Sequence, residues 1–184
     1  MTQDFFDTLG IRREIFDGYL ENYFDQLKLP KSEAVIELKK AMEYSLLKGG
    51  KRFRPLLCIL VSEAFGVNPN QVLPWAAAIE MVHTYSLIHD DLPCMDNDDL
   101  RRGEPTNHKT FGEATALLAG DALLSEAFTH ISRSYDVDPQ MGLQLVRLLG
   151  EASGLIGMVG GQAIDLRSKK AVLRVQDLNF MHSM

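Results

Sequence analysis

Five carboxylates fall within ten residues in the run His89-Asp90-Asp91-Leu92-Pro93-Cys94-Met95-Asp96-Asn97-Asp98-Asp99, and two arginines, Arg101 and Arg102, follow at once. An acidic run is ordinarily a solvated loop. This one grows out of an apolar stretch, which makes that reading less apt. Two unit charges 4 Å apart repel by about 4 kcal/mol at a surface-like effective dielectric. Clustering carboxylates at the mouth of a buried helix is therefore unfavourable unless a cation joins them. Carboxylate oxygens suit a hard ion, and magnesium keeps some water while taking its remaining ligands from phosphate. On an unbroken helix Asp90 and Asp96 would stand about 240° apart at ~100° per residue, too far round to share an ion. Pro93 breaks the helix between them and lets the chain fold Asp96 back toward Asp90. The arginine forks that follow match phosphate oxygens. The alternative for either arginine is a salt bridge with Asp98 or Asp99.

Three weaker signals accompany the run. Gly49-Gly50-Lys51-Arg52-Phe53-Arg54-Pro55 places three cations at a helix start, where free N–H groups and the helix dipole already favour an anion. It is neither a Walker loop nor a dinucleotide fingerprint, and alone it could be ordinary surface. His83 lies seven residues before Asp90, about two turns earlier on nearly the same helical face. A lone histidine there is more often a hydrogen-bonded core residue. Gln162 and Asp165, in Gly160-Gly161-Gln162-Ala163-Ile164-Asp165, are three apart and share a face.

The elements that must position these residues read as helices almost throughout. Ile15, Tyr19, Tyr23 and Leu27 repeat at four-residue spacing beside Phe16, Leu20 and Phe24, up to Pro30. A second amphipathic stretch runs through Val35, Leu38, Met42 and Leu46 to Gly49-Gly50. The apolar run Leu56–Val61 could be a buried strand by periodicity alone; its helical neighbours favour a helix from about Pro55 to Gly66. Val72 to Leu92 is apolar on most sides, as a buried central helix is, and Pro93 closes it. Another helix is expected from about Gly112 to Arg133. After Pro139, glycines at 142, 150, 154, 157, 160 and 161 either let helices pack closely or break the stretch in two. No strand-rich segment or repeat stands out, so one all-α domain over 1–184 is the economical reading.

Bulk properties remove several classes. The net charge of -6 argues against nucleic acid, whose partners are usually basic. Cys58 and Cys94 are too few for a disulfide framework or zinc site and read as free thiols of a reducing, cytoplasmic protein. No secretory signal opens the chain, and no apolar run approaches the ~20 residues of a membrane span.

Taken together, Gly49–Pro55, His83, the aspartate run through Arg101-Arg102-Gly103, Glu104-Pro105-Thr106-Asn107-His108, Ala119-Gly120-Asp121-Ala122-Leu123-Leu124 and Gly161–Asp165 resemble the trans-isoprenyl diphosphate synthase (polyprenyl synthetase) family. The resemblance covers about Lys48 to the end. It implies an all-α prenyltransferase bundle, usually a homodimer, that condenses isopentenyl diphosphate with an allylic diphosphate. On that resemblance Asp90 and Asp96, with Asp91 assisting, hold Mg2+ on the allylic diphosphate, which Arg101 joins. Lys51, Arg54, His83 and Arg102 hold isopentenyl diphosphate, and Gln162 and Asp165 line the allylic side. Tyr85 and Ser86, five and four residues before Asp90, lie about one turn deeper. They would set product length, Tyr85 acting as a floor unless it is simply a packed aromatic. The two-residue expansion of the aspartate motif, with a tyrosine at this place, resembles the bacterial farnesyl-forming branch.

The sequence departs from the family pattern at its end, Asn179-Phe180-Met181-His182-Ser183-Met184. The Lys-Thr pair and second aspartate-rich motif that the resemblance implies do not follow. The expectation is the N-terminal part of the fold, inactive by itself. Alternatives are a non-catalytic diphosphate-binding or regulatory half-fold, a geranyl or geranylgeranyl diphosphate synthase, and a terpene cyclase-like enzyme, which would not need Lys51, Arg54 and His83 for a second diphosphate.

Overall fold

The computed structural model describes residues 2–135, 138–168 and 174–183, which divide into two compact units, Met1–Ile131 and Ser132–Met184. In the first unit the order is α1 (Thr2–Asp25), α2 (Glu33–Leu47), α3 (Phe53–Ala64), a 3-10 turn (Pro69–Gln71), α4 (Leu73–Asp90), β1 (Leu100–Arg101), β2 (Glu104–Pro105), α5 (Asn107–Phe111) and α6 (Glu113–Ser134), whose last turn runs into the second unit. The fold is all-α apart from the small β1–β2 hairpin.

Helix α4 is the axis of this unit, packed against α1, α2 and α3. Ala76, Ala77, Ala78, Met81, Tyr85 and Ile88 are buried along it. The small side chains at 76–78 let neighbouring helices approach, and each buried large side chain contributes roughly 1.5–3 kcal/mol. Helix α1 buries Phe16, Leu20 and Phe24 completely, whereas Ile15 is exposed and Tyr19 and Tyr23 are half-buried. Tyr19 and Tyr23 turn instead to α6: the Tyr19 hydroxyl lies 3.0 Å from His130 Nε2, and Tyr23 hydrogen-bonds Glu126. The Leu56–Val61 run is helical, as its neighbours suggested.

Helix α4 ends at Asp90 because Pro93 disfavours helical conformation at Leu92 and has no N–H to offer. The chain then turns sharply. The Asp96 N–H donates to the Asp90 carbonyl at 2.9 Å, and the Asn97 N–H donates to the Leu92 carbonyl at 3.1 Å. Asn97 takes φ +55, a left-handed conformation that asparagine tolerates. The hairpin follows, with Arg101 opposite Glu104. Its two connecting residues, Arg102 and Gly103, both have positive φ, as a type I′ turn requires.

The sequence patterning missed α5. Its Asn107 is buried and donates from Nδ2 to the Ala41 carbonyl and to Ser45 Oγ, both at 2.8 Å, which fastens the segment after the hairpin to α2.

The second unit holds α7 (Pro139–Ser153), α8 (Met158–Ser168) and α9 (Val175–Ser183). Of the two readings of the glycine-rich stretch, the broken one holds. A Cβ on Gly157 would lie 2.1 Å from the Ala152 carbonyl oxygen, so the chain turns there only as glycine. Taken as one, Pro139–Ser168 is long and apolar enough to cross a membrane by length and composition, where the sequence reading expected no such span. The break limits its reach: the 15 residues of α7 rise only about 23 Å, against a hydrocarbon core of ~30 Å.

One glycine of the first unit is fixed by packing. A Cβ on Gly120 of α6 would come 2.2 Å from His89 Nε2, which itself meets the Leu117 carbonyl at 3.0 Å. Gly18 of α1 has open space around it. Gly18→Ala should therefore raise stability by roughly 0.5–1 kcal/mol through lost backbone entropy. Gly120→Ala should lower it by about 1–3 kcal/mol, because overpacking outweighs the same propensity gain. Urea unfolding of the two variants checks the opposite signs.

Candidate functional site

Two charged regions lie along α4. The first is a cleft of about 370 Å³ lined by Lys51, Arg52, Arg54, Glu80, His83 and Arg102. Its size falls within the range of small-ligand sites. It brings together residues from three segments far apart in sequence: Lys51 and Arg54 at the start of α3, His83 on α4 and Arg102 at the hairpin tip. The local geometry follows from the glycines before α3. Gly49 and Gly50 have φ +84 and +125, and Arg52, the N-cap of α3, has φ +49. Arg102 Nη1 donates to the Gly49 carbonyl at 2.6 Å, and a Cβ on Gly50 would sit 2.3 Å from that nitrogen. The φ of +125 at position 50 is what calls for glycine there, since L side chains rarely adopt it.

The charge in this cleft is lopsided. Burial, then Arg54 and the other nearby arginines, push the His83 imidazole down to about 4, so it is neutral at pH 7. Lys51 and Arg54 are exposed, and Arg52 is only 3% exposed. Arg52 was grouped with its neighbours as a cation at a helix start; its Nε donates to Asp17 Oδ1 at 2.8 Å and its Nη1 to Glu80 Oε1 at 3.0 Å. Sequence reasoning passed over Glu80. The available signal was a single carboxylate inside an otherwise apolar helix, since such a group demands a partner.

The second region is the end of α4. The turn after Pro93 brings the backbone of Asp96 against that of Asp90. The Asp90 carboxyl is raised above the usual carboxylate range, first by burial and then by the charge of Asp96. Asp91 has a different environment. It is buried, and Arg101 holds it through Nε, at 2.8–2.9 Å from both carboxylate oxygens, and through Nη2 at 2.7 Å from Oδ1. Asp91, expected to assist Asp90 and Asp96 at a metal, has its carboxylate engaged by Arg101. The alternative partners for Arg101 and Arg102 also resolve. Arg101 approaches Asp98 only to 4.0 Å, and Asp99 pairs with Lys109 at 2.7 Å. Among the described residues, no group of three or more His, Cys, Asp or Glu side chains could hold a metal ion unaided.

Tyr85 is buried, its ring packed edge-on against His89 with centroids 5.7 Å apart. Ser86 Oγ donates to the His83 carbonyl at 2.8 Å. Gln162 and Asp165 lie half-buried on α8, in the second unit.

A sequence profile of the polyprenyl synthetase family matches residues 35–184. The chain belongs to that family. It is 47% identical over 184 residues to farnesyl diphosphate synthase of Bacillus subtilis (strain 168), covering 99% of this chain and 60% of that protein. It is 52% identical over 153 residues to the heterodimeric geranylgeranyl pyrophosphate synthase large subunit 1, chloroplastic, of Arabidopsis thaliana, covering 80% of this chain and 41% of that one. Among solved structures, the geranyltransferase of Legionella pneumophila superposes with a TM-score of 0.91 at 36% identity, over 98% of this chain and 63% of that chain. This polyprenyl synthetase chain therefore spans about 60% of the length of its bacterial relative.

The cleft cations make a specific prediction. An anion bound among them would offset the arginine field that disfavours protonated His83. Followed by NMR, the His83 ring should titrate near 4 in the free protein and at higher pH when inorganic diphosphate is added. The sign for stability follows. The folded value lies below the unfolded value of about 6.5, so as pH falls through the window between them the unfolded chain takes up a proton that the folded chain does not. Stability drops across that window. A His83 midpoint near 6.5 without ligand would contradict the cleft electrostatics.

Proposed function

We propose that this chain carries the diphosphate-handling half of a trans-prenyltransferase that joins isopentenyl diphosphate to an allylic diphosphate, with farnesyl diphosphate as product. The observation that supports it most is the placement of two regions of opposite charge on one rigid helix. His83 and Asp90 are seven residues apart on α4, about 10 Å along the axis at 1.5 Å per residue. A cation-lined cleft and a carboxylate pair at that spacing suit two diphosphates whose reacting carbons must meet. The first diphosphate needs only cations, and the second needs a metal to join it to carboxylates.

In this reading Lys51, Arg54 and Arg102 hold the diphosphate of isopentenyl diphosphate, with His83 as a neutral hydrogen-bonding partner. Asp90 and Asp96 hold Mg2+. The fit rests on their environment: two carboxylates drawn together, one raised by burial and by the other's charge, form a donor set that a cation relieves. Two protein carboxylates are also the number magnesium commonly takes when substrate phosphate and water complete its shell. When bound, the ion neutralises charge that accumulates on the departing diphosphate. Asp91 acts through Arg101, fixing its guanidinium beside the allylic diphosphate. Gln162 and Asp165 line the allylic side.

The bond changes balance without a further reagent. The allylic C–O bond breaks, and its electron pair leaves with the diphosphate. The double bond of isopentenyl diphosphate supplies the electrons for the new C–C bond. A proton is then lost to the released diphosphate. Apolar walls exclude water while positive charge resides on carbon. In this reading the buried ring of Tyr85 is the floor that stops the growing chain, giving C15 rather than C20. The same reading places the protein in the cytoplasm and pairs two copies.

Calorimetry with an isoprenoid diphosphate tests this without requiring turnover. Binding should be weak without Mg2+ and tighter with it, and Asp90→Ala should abolish the difference. Equal binding with and without the metal would remove Asp90 and Asp96 from the proposed role.

A further inference from the structure

A buried ion network adjoins the cleft cations. Arg52 stands at its centre, its side chain 2% exposed, between Asp17 of α1 and Glu80 of α4, whose side chains are 29% and 4% exposed. An arginine does not shed its charge on burial, and an unpaired buried charge is strongly unfavourable. Two of the three Arg52 guanidinium nitrogens are committed accordingly: Nε to Asp17 and Nη1 to Glu80. Its guanidinium also lies over the Phe16 ring, 5.9 Å from the centroid. Stability alone gives little reason for such a network, since apolar side chains of similar volume often do as well.

Its geometric effect is more specific. Arg52 is the N-cap of α3, held in the left-handed region at φ +49 between Lys51 and Arg54. Glu80 sits three residues before His83, on the same face of α4. The Arg52–Glu80 bond thus ties the segment bearing Lys51 and Arg54 to the helical turn that bears His83. It adds to the packing of α3 on α4 and to the Arg102–Gly49 bond a charged tie that opposes the mutual repulsion of the cations.

We propose that Arg52, through Glu80 and Asp17, is a positioning residue for the anion cleft: it holds Lys51 and Arg54 in register with His83 and does not itself bind the anion. This rests on the reading of the cleft as a diphosphate site. It separates the middle cation of Lys51-Arg52-Phe53-Arg54 from the two beside it and gives a function to a carboxylate that the reaction does not use.

The test turns on a sign. Glu80→Gln removes a negative charge from beside an anion site, so electrostatics alone would tighten anion binding. Positioning requires the opposite. The probe is inorganic diphosphate, titrated calorimetrically into the 184-residue protein well below its melting temperature, with the fold of each variant checked by circular dichroism. Glu80→Gln should bind about tenfold more weakly, the loss typical of removing an outer support from a ligand-holding residue. Unchanged or tighter binding by folded Glu80→Gln overturns the proposal. If that variant does not fold, Asp17→Asn, at the more exposed end of the network, is read by the same criterion. Lys51→Ala separates this proposal from the reading beneath it. If Lys51→Ala binds diphosphate as the unaltered protein does, or if the unaltered protein binds none, the cleft is not the diphosphate site and both fall. If Lys51→Ala weakens binding and Glu80→Gln does not, only the positioning role falls.

Discussion

Repulsion between like charges gathered along one buried helix sets the terms for the rest of the first unit. Near the end of α4, Asp90 and Asp96 are drawn together by a backbone hydrogen bond, and burial and the charge of Asp96 both disfavour the charged form of Asp90. Seven residues earlier, burial and then a group of nearby guanidinium ions hold His83 neutral. Neither arrangement favours folding by itself. A further counter-charge would relieve each, a cation at one place and an anion at the other. The proposed function rests on a protein keeping both on a single helix.

The surrounding structure can be read as the means of enforcing these juxtapositions. Pro93 forces the turn that returns Asp96. Arg101 engages Asp91 through Nε and Nη2, which gives that buried carboxylate a partner of opposite charge. Gly50 allows Arg102 to reach the Gly49 carbonyl and bring the hairpin tip to the cleft. Asn107 fastens the chain after the hairpin to α2. Gly120 admits the ring of His89 one residue before Asp90, which fixes the end of α4 against α6.

What was legible in the sequence follows how local each cause is. The termination of α4 near Pro93 and the fold-back after it rest on proline's own chemistry and were evident from a few residues. The buried character of α4 was evident from Ala76-Ala77-Ala78-Ile79. The burial of Arg52 was not, because it depends on Asp17, 35 residues earlier, and on Glu80, 28 residues later. Asp90 and Asp91 are identical neighbours in sequence, and only the direction of each side chain off the end of α4 gives one an acidic neighbour and the other an arginine. Ile15 fits the four-residue repeat yet is exposed, since the repeat defines a broad stripe and packing selects the Phe16-Leu20-Phe24 line within it. The hairpin was obscured because Arg102-Gly103 is a weaker turn signal than Asn-Gly.

The central claim is that Asp90 and Asp96, rather than the more numerous acidic residues around them, form the metal-binding pair. Anomalous diffraction from crystals grown with Mn2+ and inorganic diphosphate tests it most directly. The account predicts a metal peak against the carboxylates of Asp90 and Asp96, with Asp91 still held by Arg101. A peak at Asp98 and Asp99 instead, or none near Asp90 at saturating metal, would contradict it.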